Sequence, residues 1–587
     1  MFLRSRERRK DGKLHRYWSI VENRRVRGGG VVQRQVLYLG EINEQQRAAW
    51  ARGIEAFGGE RPKQLAMFGE TKAAPVGDDA VVEVRLEDFE LRRPRQWGGC
   101  WLACVLWDQL ELEAFWQPRL PASRKGTRWL NVFKTLVIYR LLDPGSEWRL
   151  HRHWFEHSAL GDLLGEDFGL VQADKLYRCL DKLLAHKRDF FSALTCRWQD
   201  LFGISFEVLL YDLTSSYFES EPPGEGKRQF GHSRDKRPDC VQVVIALIVT
   251  PEGFPLAYEV MPGNTADKTT LAGFLDRIEA QYGKADRIWV MDRGIPTEET
   301  LATMRAGGVS YLVGTPKGRL SQLERAFLGQ PWEEVRPSVQ VKLLAKDDEL
   351  YVLARSDSRI GKERGIRRRR LKKLWARLGE LQGQSISRDQ LLLKLGAAKK
   401  EAGRVWGLVD IQLPKAGQQV SPETFRFRLR KDKLRQTRRR EGRYLLRTNL
   451  CDREPAELWR HYILLTEIEQ AFKELKGDLA IRPIYHQLDH RIEAHIFVAF
   501  VAYCLMVTLK HRLRALAPGL TPRAVLEKLS AIQMIDVHLP TSDGRHLVLP
   551  RYTHPEPDQR LLLQTLKLKL PKQPTPRIAL EAQSPAR

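Results

Sequence analysis

A spacing constrains this chain most. Three carboxylates sit on apolar elements: Asp212 in VLLYDLTSS, Asp292 in RIWVMDRG and Glu469 in YILLTEIEQAFKELK. Asp212 and Asp292 are 80 positions apart, and Asp292 and Glu469 are 177 apart. A compact fold does not close the second gap with loop alone, so a whole domain is expected between Asp292 and Glu469. Asp212 and Asp292 each end a short apolar run that reads as a buried strand. Glu469 reads as a buried carboxylate on a helix from Tyr462 to Lys476, where Glu469, Phe472 and Lys476 share one face.

At 587 residues the chain exceeds one core, and length alone implies about three to five domains. The formal net charge of +25 calls for a polyanionic partner, nucleic acid before an anionic membrane. The longest apolar stretches, 241–249 and 496–509, fall short of the roughly 20 residues that span a bilayer. MFLRSRERRK has no apolar signal core, so no secretion and no membrane partner are expected. Seven cysteines, an odd number, fit a reducing cytoplasm. Cys100 and Cys104 lack a second ligand pair nearby, and His151, His153 and His157 are too loosely spaced for a metal site.

In chain order, residues 1–60 read as a small basic module. It has an Arg-rich arm, two strands joined through RGGG, and a helix. Residues 61–90 read as a linker and 91–200 as helical, with DPGSEW (143–148) as a turn. From 201 to 325, three antiparallel strands lead into alternating helix and strand, an α/β order with ribonuclease-H-like logic. Residues 326–455 read as a β-rich insertion carrying the basic helix GIRRRRLKKLWARLGELQ. The core is expected to resume over 456–517. Over 518–587 a helix and a polar, Pro-containing tail follow, the tail from Lys567 being read as disordered.

Phosphodiester cleavage needs a nucleophilic oxygen, neutralised phosphate charge and a stabilised leaving oxygen. Two Mg²⁺ ions about 3.5–4 Å apart supply all three. Mg²⁺ takes oxygen ligands from a few carboxylates, substrate and water. Asp212 is placed to bridge both ions, with Asp292 and Glu469 each completing one. Singly, a strand-end Asp has an ordinary reading as a cap and a helix Glu as an ion-pair member. Their order on apolar elements favours the metal reading.

These motifs resemble the bacterial insertion-sequence transposases of the DDE type marked by a Tyr-x2-Arg-x3-Glu-x6-Lys signature. Tyr462, Glu469 and Lys476 match in register, while Leu465 stands at the Arg position. YDLTSSYFE, HSRDKRPDCVQVVIALIVTPEGFPLAYEVMPGNTAD, MDRGIP and EQAFKELKGDLAIRPIYH carry the same resemblance over about 205–510, with 1–60 looser. The resemblance implies a ribonuclease-H-like catalytic core interrupted by a β-rich insertion domain, with helical and small N-terminal DNA-binding domains. It implies Asp212, Asp292 and Glu469 holding two Mg²⁺, with Mn²⁺ able to substitute. The implied reaction is cleavage at inverted-repeat ends and strand transfer into target DNA by a homodimer in the bacterial cytoplasm, at the nucleoid. Tyr462 and Lys476 would contact phosphates near the cut. Leu465 puts the Arg contact and a hairpin intermediate in doubt, with Arg293 and Lys473 as nearby substitutes.

Charge supplies a second basis for DNA. His232, Arg234, Lys236 and Arg237 lie in HSRDKRPD, and Arg367, Arg368, Arg369, Arg370, Lys372 and Lys373 in the basic helix. The segment 425–443 is also dense in Arg and Lys. Phe425, Phe427 and Trp375 are interleaved and available for base stacking. Two rival readings remain: a catalytically inactive DNA-binding transposase remnant, and a glycoside hydrolase, which also needs paired carboxylates. The hydrolase explains neither the charge nor the basic helices.

Overall fold

The computed structural model describes residues 1–10, 13–25, 31–59, 84–221, 225–266, 270–283, 287–315, 317–323, 325–542 and 545–580. The chain is mixed α/β and forms two compact units, Met1–Ala285 with Thr466–Arg587, and Asp286–Leu465. Most of the expected linker, 60–83, lies outside the described residues.

The first unit opens with an antiparallel sheet of Phe2–Lys10, Lys13–Arg25 and Val31–Gly40, followed by the helix Glu44–Gly59. The Arg-rich start is therefore an edge strand and not a free arm. Glu7 lies directly opposite Arg16 and pairs with it at 2.6 Å, so cross-strand charge pairing sets this register. Trp50 on the helix is buried and donates to the Pro518 carbonyl at 2.8 Å.

Helices dominate 98–202 and pack around Asp489–Leu516. That helix runs 28 residues, longer than the apolar stretch 496–509, and is long enough to cross a bilayer. Its most apolar window is 94% buried within the protein, which makes it a core helix. Phe497 packs edge-on against Trp116 and Phe190, and Phe500 stacks on Tyr258 at 4.0 Å between ring centroids. The Tyr258 contact ties the helix to an antiparallel meander of Val208–Phe218, Val241–Val249 and Pro255–Pro262. Val241–Val249 is buried at every position, hence an apolar run that Gln242 alone interrupts. The turn into the third strand needs Gly253 at φ 96°, whose carbonyl accepts from the Tyr503 hydroxyl at 2.7 Å.

A four-stranded sheet, ordered Arg577–Leu580, Arg545–Tyr552, Gln533–Pro540, Glu90–Gln96, joins the tail to the start of the helical region. It corrects two expectations. The tail read as disordered supplies an edge strand, and the helical stretch begins with a strand that ELRRPRQ conceals. Arg95, buried there, donates to Asp536 and Asp162, both at 2.8 Å, which satisfies a charge that would otherwise be costly.

Among the described residues, one run of paired strands in the second unit has the order Glu333–Arg336, Val339–Lys346, Glu349–Ser356, Arg443–Thr448, Ser310–Gly314, Ile288–Met291. The last two are parallel and the other pairs antiparallel. Asp347 and Asp348 both take positive φ (54° and 55°), the two-residue turn that matches hairpin twist. Arg447 is buried between Glu349 and Glu298, reaching Glu298 Oε2 at 2.7 Å. Between the strands, 357–440 is mainly helical, which corrects the β-rich expectation. Asp357–Gln382, Arg388–Ala402 and Lys431–Arg440 surround a short pair, Val409–Gln412 with Arg426–Leu429.

One polar knot is buried in the first unit. His486 Nε2 and His495 Nδ1 lie 3.2 and 3.4 Å from Glu147 Oε1, and Arg140 Nη2 lies 3.5 Å from His495 Nδ1. Burial and the Arg140 charge push His495 down to about 4. The two imidazoles hold Glu147 well below the usual carboxylate range although burial opposes them. Both folded values are depressed, so the unfolded chain takes protons first and stability falls as pH drops from about 6.5 to about 4. The midpoint of thermal unfolding should therefore fall between pH 7 and pH 5, and His495→Gln should flatten that slope. An unchanged slope would remove His495 as its source.

Candidate active site

Each carboxylate is placed by its own element. Asp212 lies within the strand Val208–Phe218 rather than at its end, half-buried, opposite Leu247 of the neighbouring strand. Asp292 follows directly on the buried strand Ile288–Met291 and is exposed, as a strand-end residue with a free side chain should be. Glu469 stands on the helix Leu465–Lys476, which begins anew after Pro455–Ile463 ends. That helix buries Ile468, Ala471, Phe472 and Leu475, each apolar side chain contributing about 1.5–3 kcal/mol, with the smaller Ala471 giving less. Glu469 flanks this stripe and is exposed, which corrects the buried reading. The carboxylates of Asp292 and Glu469 make no hydrogen bond or ion pair among the described residues. The cap and ion-pair explanations for them therefore lack a partner.

Asp212 and Glu469 belong to the first unit, and Asp292 and Tyr462 to the second. Within the second unit, Tyr462 is set by an aromatic row. Its ring stacks on Tyr444 at 5.8 Å, Tyr444 faces Trp459 at 5.0 Å, and the Arg359 guanidinium covers Tyr444 at 4.8 Å. Gly314 brings Tyr462 and Asp292 together. A Cβ there would meet the Tyr462 hydroxyl at 3.0 Å, Arg293 N at 3.1 Å and Asp292 Oδ1 at 3.3 Å.

In the first unit, Lys476 donates to Asp235 Oδ1 at 2.7 Å, and Arg482 pairs with the same oxygen. Burial lowers the Lys476 ammonium while Asp235 pulls it back up. Asp235, in the HSRDKRPD loop, was missed by sequence reasoning although the loop was singled out for its cations. The loop is seated by Arg234 N donating to Ser215 Oγ at 3.2 Å and by Gln242 Nε2 donating to the His232 carbonyl at 3.3 Å. Arg237 is committed to Asp239 and Glu219, whereas His232 and Lys236 are exposed.

The basic helix Asp357–Gln382 divides in the same way. Arg367 is buried against Glu441, and Lys373 pairs with Glu401 at 3.0 Å. Arg368, Arg369, Arg370 and Lys372 are exposed and without an ion pair among the described residues, as are Arg293 and Lys473. Phe425 is fully buried in a core, and half-buried Phe427 packs edge-on against Trp375 at 4.9 Å, so one of the three expected stacking rings is withdrawn from solvent. Leu465 is buried, which withdraws the signature Arg position from solvent.

A family model described as Transposase DDE domain matches residues 205–505. The chain belongs to the DDE transposases. A second model, the N-terminal domain of the IS1634 transposase family, matches residues 3–61, which places it among insertion-sequence transposases. The DDE domain is that of a DNA-cutting, strand-transferring enzyme, and such transposases generally use divalent metal ions. No curated protein matches. Among solved structures the chain is similar to a piggyBac transposase synaptic complex with hairpin DNA, at 8% identity and TM-score 0.33, covering 73% of this chain and 76% of that one.

The Gly314 contacts give a test. In this transposase, Gly314→Ala forces Tyr462, Arg293 and Asp292 apart by a few tenths of an ångström, and should lower DNA cleavage about tenfold or more with little change in melting temperature. Wild-type cleavage by a folded Gly314→Ala protein would detach this convergence from activity. Asp235→Asn should loosen Lys476, raising the KM for DNA more than it lowers kcat. A lower kcat at unchanged KM would mean that Asp235 is needed only for folding.

Proposed function

We propose that this transposase binds the inverted-repeat ends of its insertion sequence, cleaves them and joins the freed 3′ ends to target DNA. The observation that carries the reading is the pair of exposed, unpartnered carboxylates, Asp292 at a strand end and Glu469 beside the helix core stripe. With Asp212 they form an all-oxygen donor set that suits Mg²⁺, with Mn²⁺ as a substitute. Two such ions, when bound, supply charge neutralisation at the phosphate and lower the pKa of the attacking oxygen's proton. The proposed catalytic core is ribonuclease-H-like, with the 326–455 segment inserted in its sequence between Asp292 and Glu469.

The chain's own groups do the positioning. Tyr462, held on Tyr444, presents its hydroxyl beside Asp292 for a phosphate oxygen. Lys476 and Arg482 share one carboxylate oxygen of Asp235, so a DNA phosphate can take over either cation by competing with that oxygen. Arg293 and Lys473 offer unpaired charge where buried Leu465 offers none. Arg368, Arg369, Arg370 and Lys372, with His232, Arg234 and Lys236, hold the DNA backbone. The protein acts as a homodimer on paired ends, in the bacterial cytoplasm at the nucleoid.

Asp212→Asn, Asp292→Asn and Glu469→Gln should each abolish metal-dependent cleavage of end DNA while leaving binding within a few-fold. Retained cutting would remove that residue from the triad. A wild-type chain that binds ends but stays inert in Mg²⁺ and Mn²⁺ is instead the inactive remnant. Binding should also weaken steeply with salt, and the triple variant Arg368→Ala, Arg369→Ala, Lys372→Ala should cut the logarithmic slope by about 2–3. An unchanged slope would place the DNA elsewhere.

A further inference from the structure

Away from the acidic triad, the first unit converges a different donor set. Glu147, His486 and His495 are all buried, and one ligand atom from each lies within 4.8 Å of the other two. They come from separate places in the chain: a single helical turn at Glu147–Arg149, the loop after Lys476, and the core helix Asp489–Leu516. We propose that these three residues bind one Zn²⁺ ion, with the fourth position open to water.

The distances fit that ion. A tetrahedral Zn²⁺ with bonds of about 2.0–2.1 Å keeps its ligands about 3.3–3.4 Å apart. Glu147 Oε1 lies 3.2 Å from His486 Nε2 and 3.4 Å from His495 Nδ1. The two rings meet edge-on at 60° and do not stack, an arrangement that lets both nitrogens point at one ion. Two nitrogens and one oxygen select a borderline cation such as Zn²⁺ over Mg²⁺, so the set is chemically distinct from the carboxylates above.

Hydrogen bonding alone leaves the knot unresolved. His495 Nδ1 faces both an acceptor, Glu147 Oε1, and a donor, Arg140 Nη2, while its Nε2 is buried without a partner among the described residues. Neither neutral tautomer satisfies both nitrogens. A cation between Nδ1 and Oε1 turns two facing lone pairs into shared ligation.

A cavity of about 470 Å³ opens on all three residues and is walled by Trp148, Tyr177 and Tyr485, giving the ion an entry path and a source of water. Arg140 packs against the set and donates through Nη1 to the Ala480 carbonyl at 3.1 Å. Its charge opposes a second cation, and the ionised Glu147 offsets it. The remaining excess is open to an anion or hydroxide from the cavity. Bound, the ion would pin the loop carrying Arg482 to the core helix.

The test uses the full-length chain, stripped with chelator and titrated with Zn²⁺ against a chromogenic indicator in excess Mg²⁺. One Zn²⁺ per chain is expected. His486→Ala and Glu147→Gln should each weaken it about 100-fold or more, while Asp212→Asn with Glu469→Gln leaves it within a few-fold. Co²⁺ loading should give a tetrahedral visible spectrum in the wild type and not in the first two variants. Should His486→Ala fail to fold, His486→Cys supplies a thiolate and should add a sulfur-to-cobalt charge-transfer band. No Zn²⁺ site in the wild type, undiminished binding in folded Glu147→Gln, or a folded His486→Cys without that band would each overturn the proposal. Loss in the Asp212/Glu469 double variant would assign the ion to the DNA-cutting site instead. Inactive but Zn²⁺-loaded protein would separate this site from the catalytic reading.

Discussion

Two carboxylates without partners, in a chain with 98 Lys and Arg against 73 Asp and Glu, are what the rest of the account depends on. In so basic a protein an exposed acid readily finds a cation, and many here do. Asp181 holds Arg491, Asp410 holds two arginines and Asp143 holds Arg149. Asp292 and Glu469 make no such pair among the described residues, as Asp200, Asp276 and Asp478 also do not. The surrounding elements keep them so. Ile288–Met291 is wholly buried up to the residue before Asp292, and the helix stripe at Ile468, Ala471, Phe472 and Leu475 fixes which way Glu469 is turned.

The neighbouring cations are restrained by the same logic. Lys476 and Arg482 converge on one oxygen of Asp235, whose side chain is only 5% exposed. An ion pair so enclosed is lost at considerable cost unless another anion replaces it, and a phosphate is such an anion. Tyr462 is held instead by stacking, with its hydroxyl against Gly314. Buried charge on one unit and aromatic packing on the other thus present groups suited to a phosphodiester. The DDE family membership makes DNA the substrate class toward which they are read.

Much of the fold was legible because its signals were local. The meander at 208–262 and the alternation up to Gly314 follow from apolar period and turn chemistry. The errors have physical causes. ELRRPRQ has no apolar alternation and contains a proline, so only pairing with Gln533–Pro540 makes it a strand. The tail strand Arg577–Leu580 likewise depends on its partner Arg545–Tyr552. In 357–440 the strand and basic-helix readings left 388–402 unassigned. Leu391, Leu395, Ala398 and Ala402 line one helix face, and Phe425 belongs to that same core.

Within the candidate site, the types and order of Asp212, Asp292 and Glu469 were visible in sequence, whereas their exposure was not. Periodicity places a residue near a core stripe without saying which side of the stripe it takes. Asp235 went unseen because its cationic neighbours drew the reading toward DNA. Glu147, His486 and His495 could not be joined, since nothing in sequence brings 147 next to 495.

The central proposal is that Asp212, Asp292 and Glu469 hold metal together. Anomalous diffraction from crystals of the protein on end DNA with Mn²⁺ tests it most directly. The account predicts two manganese peaks about 3.5–4 Å apart, bridged by Asp212 and flanked by Asp292 and Glu469. Manganese held by other side chains, with these three carboxylates bound to none, would contradict it.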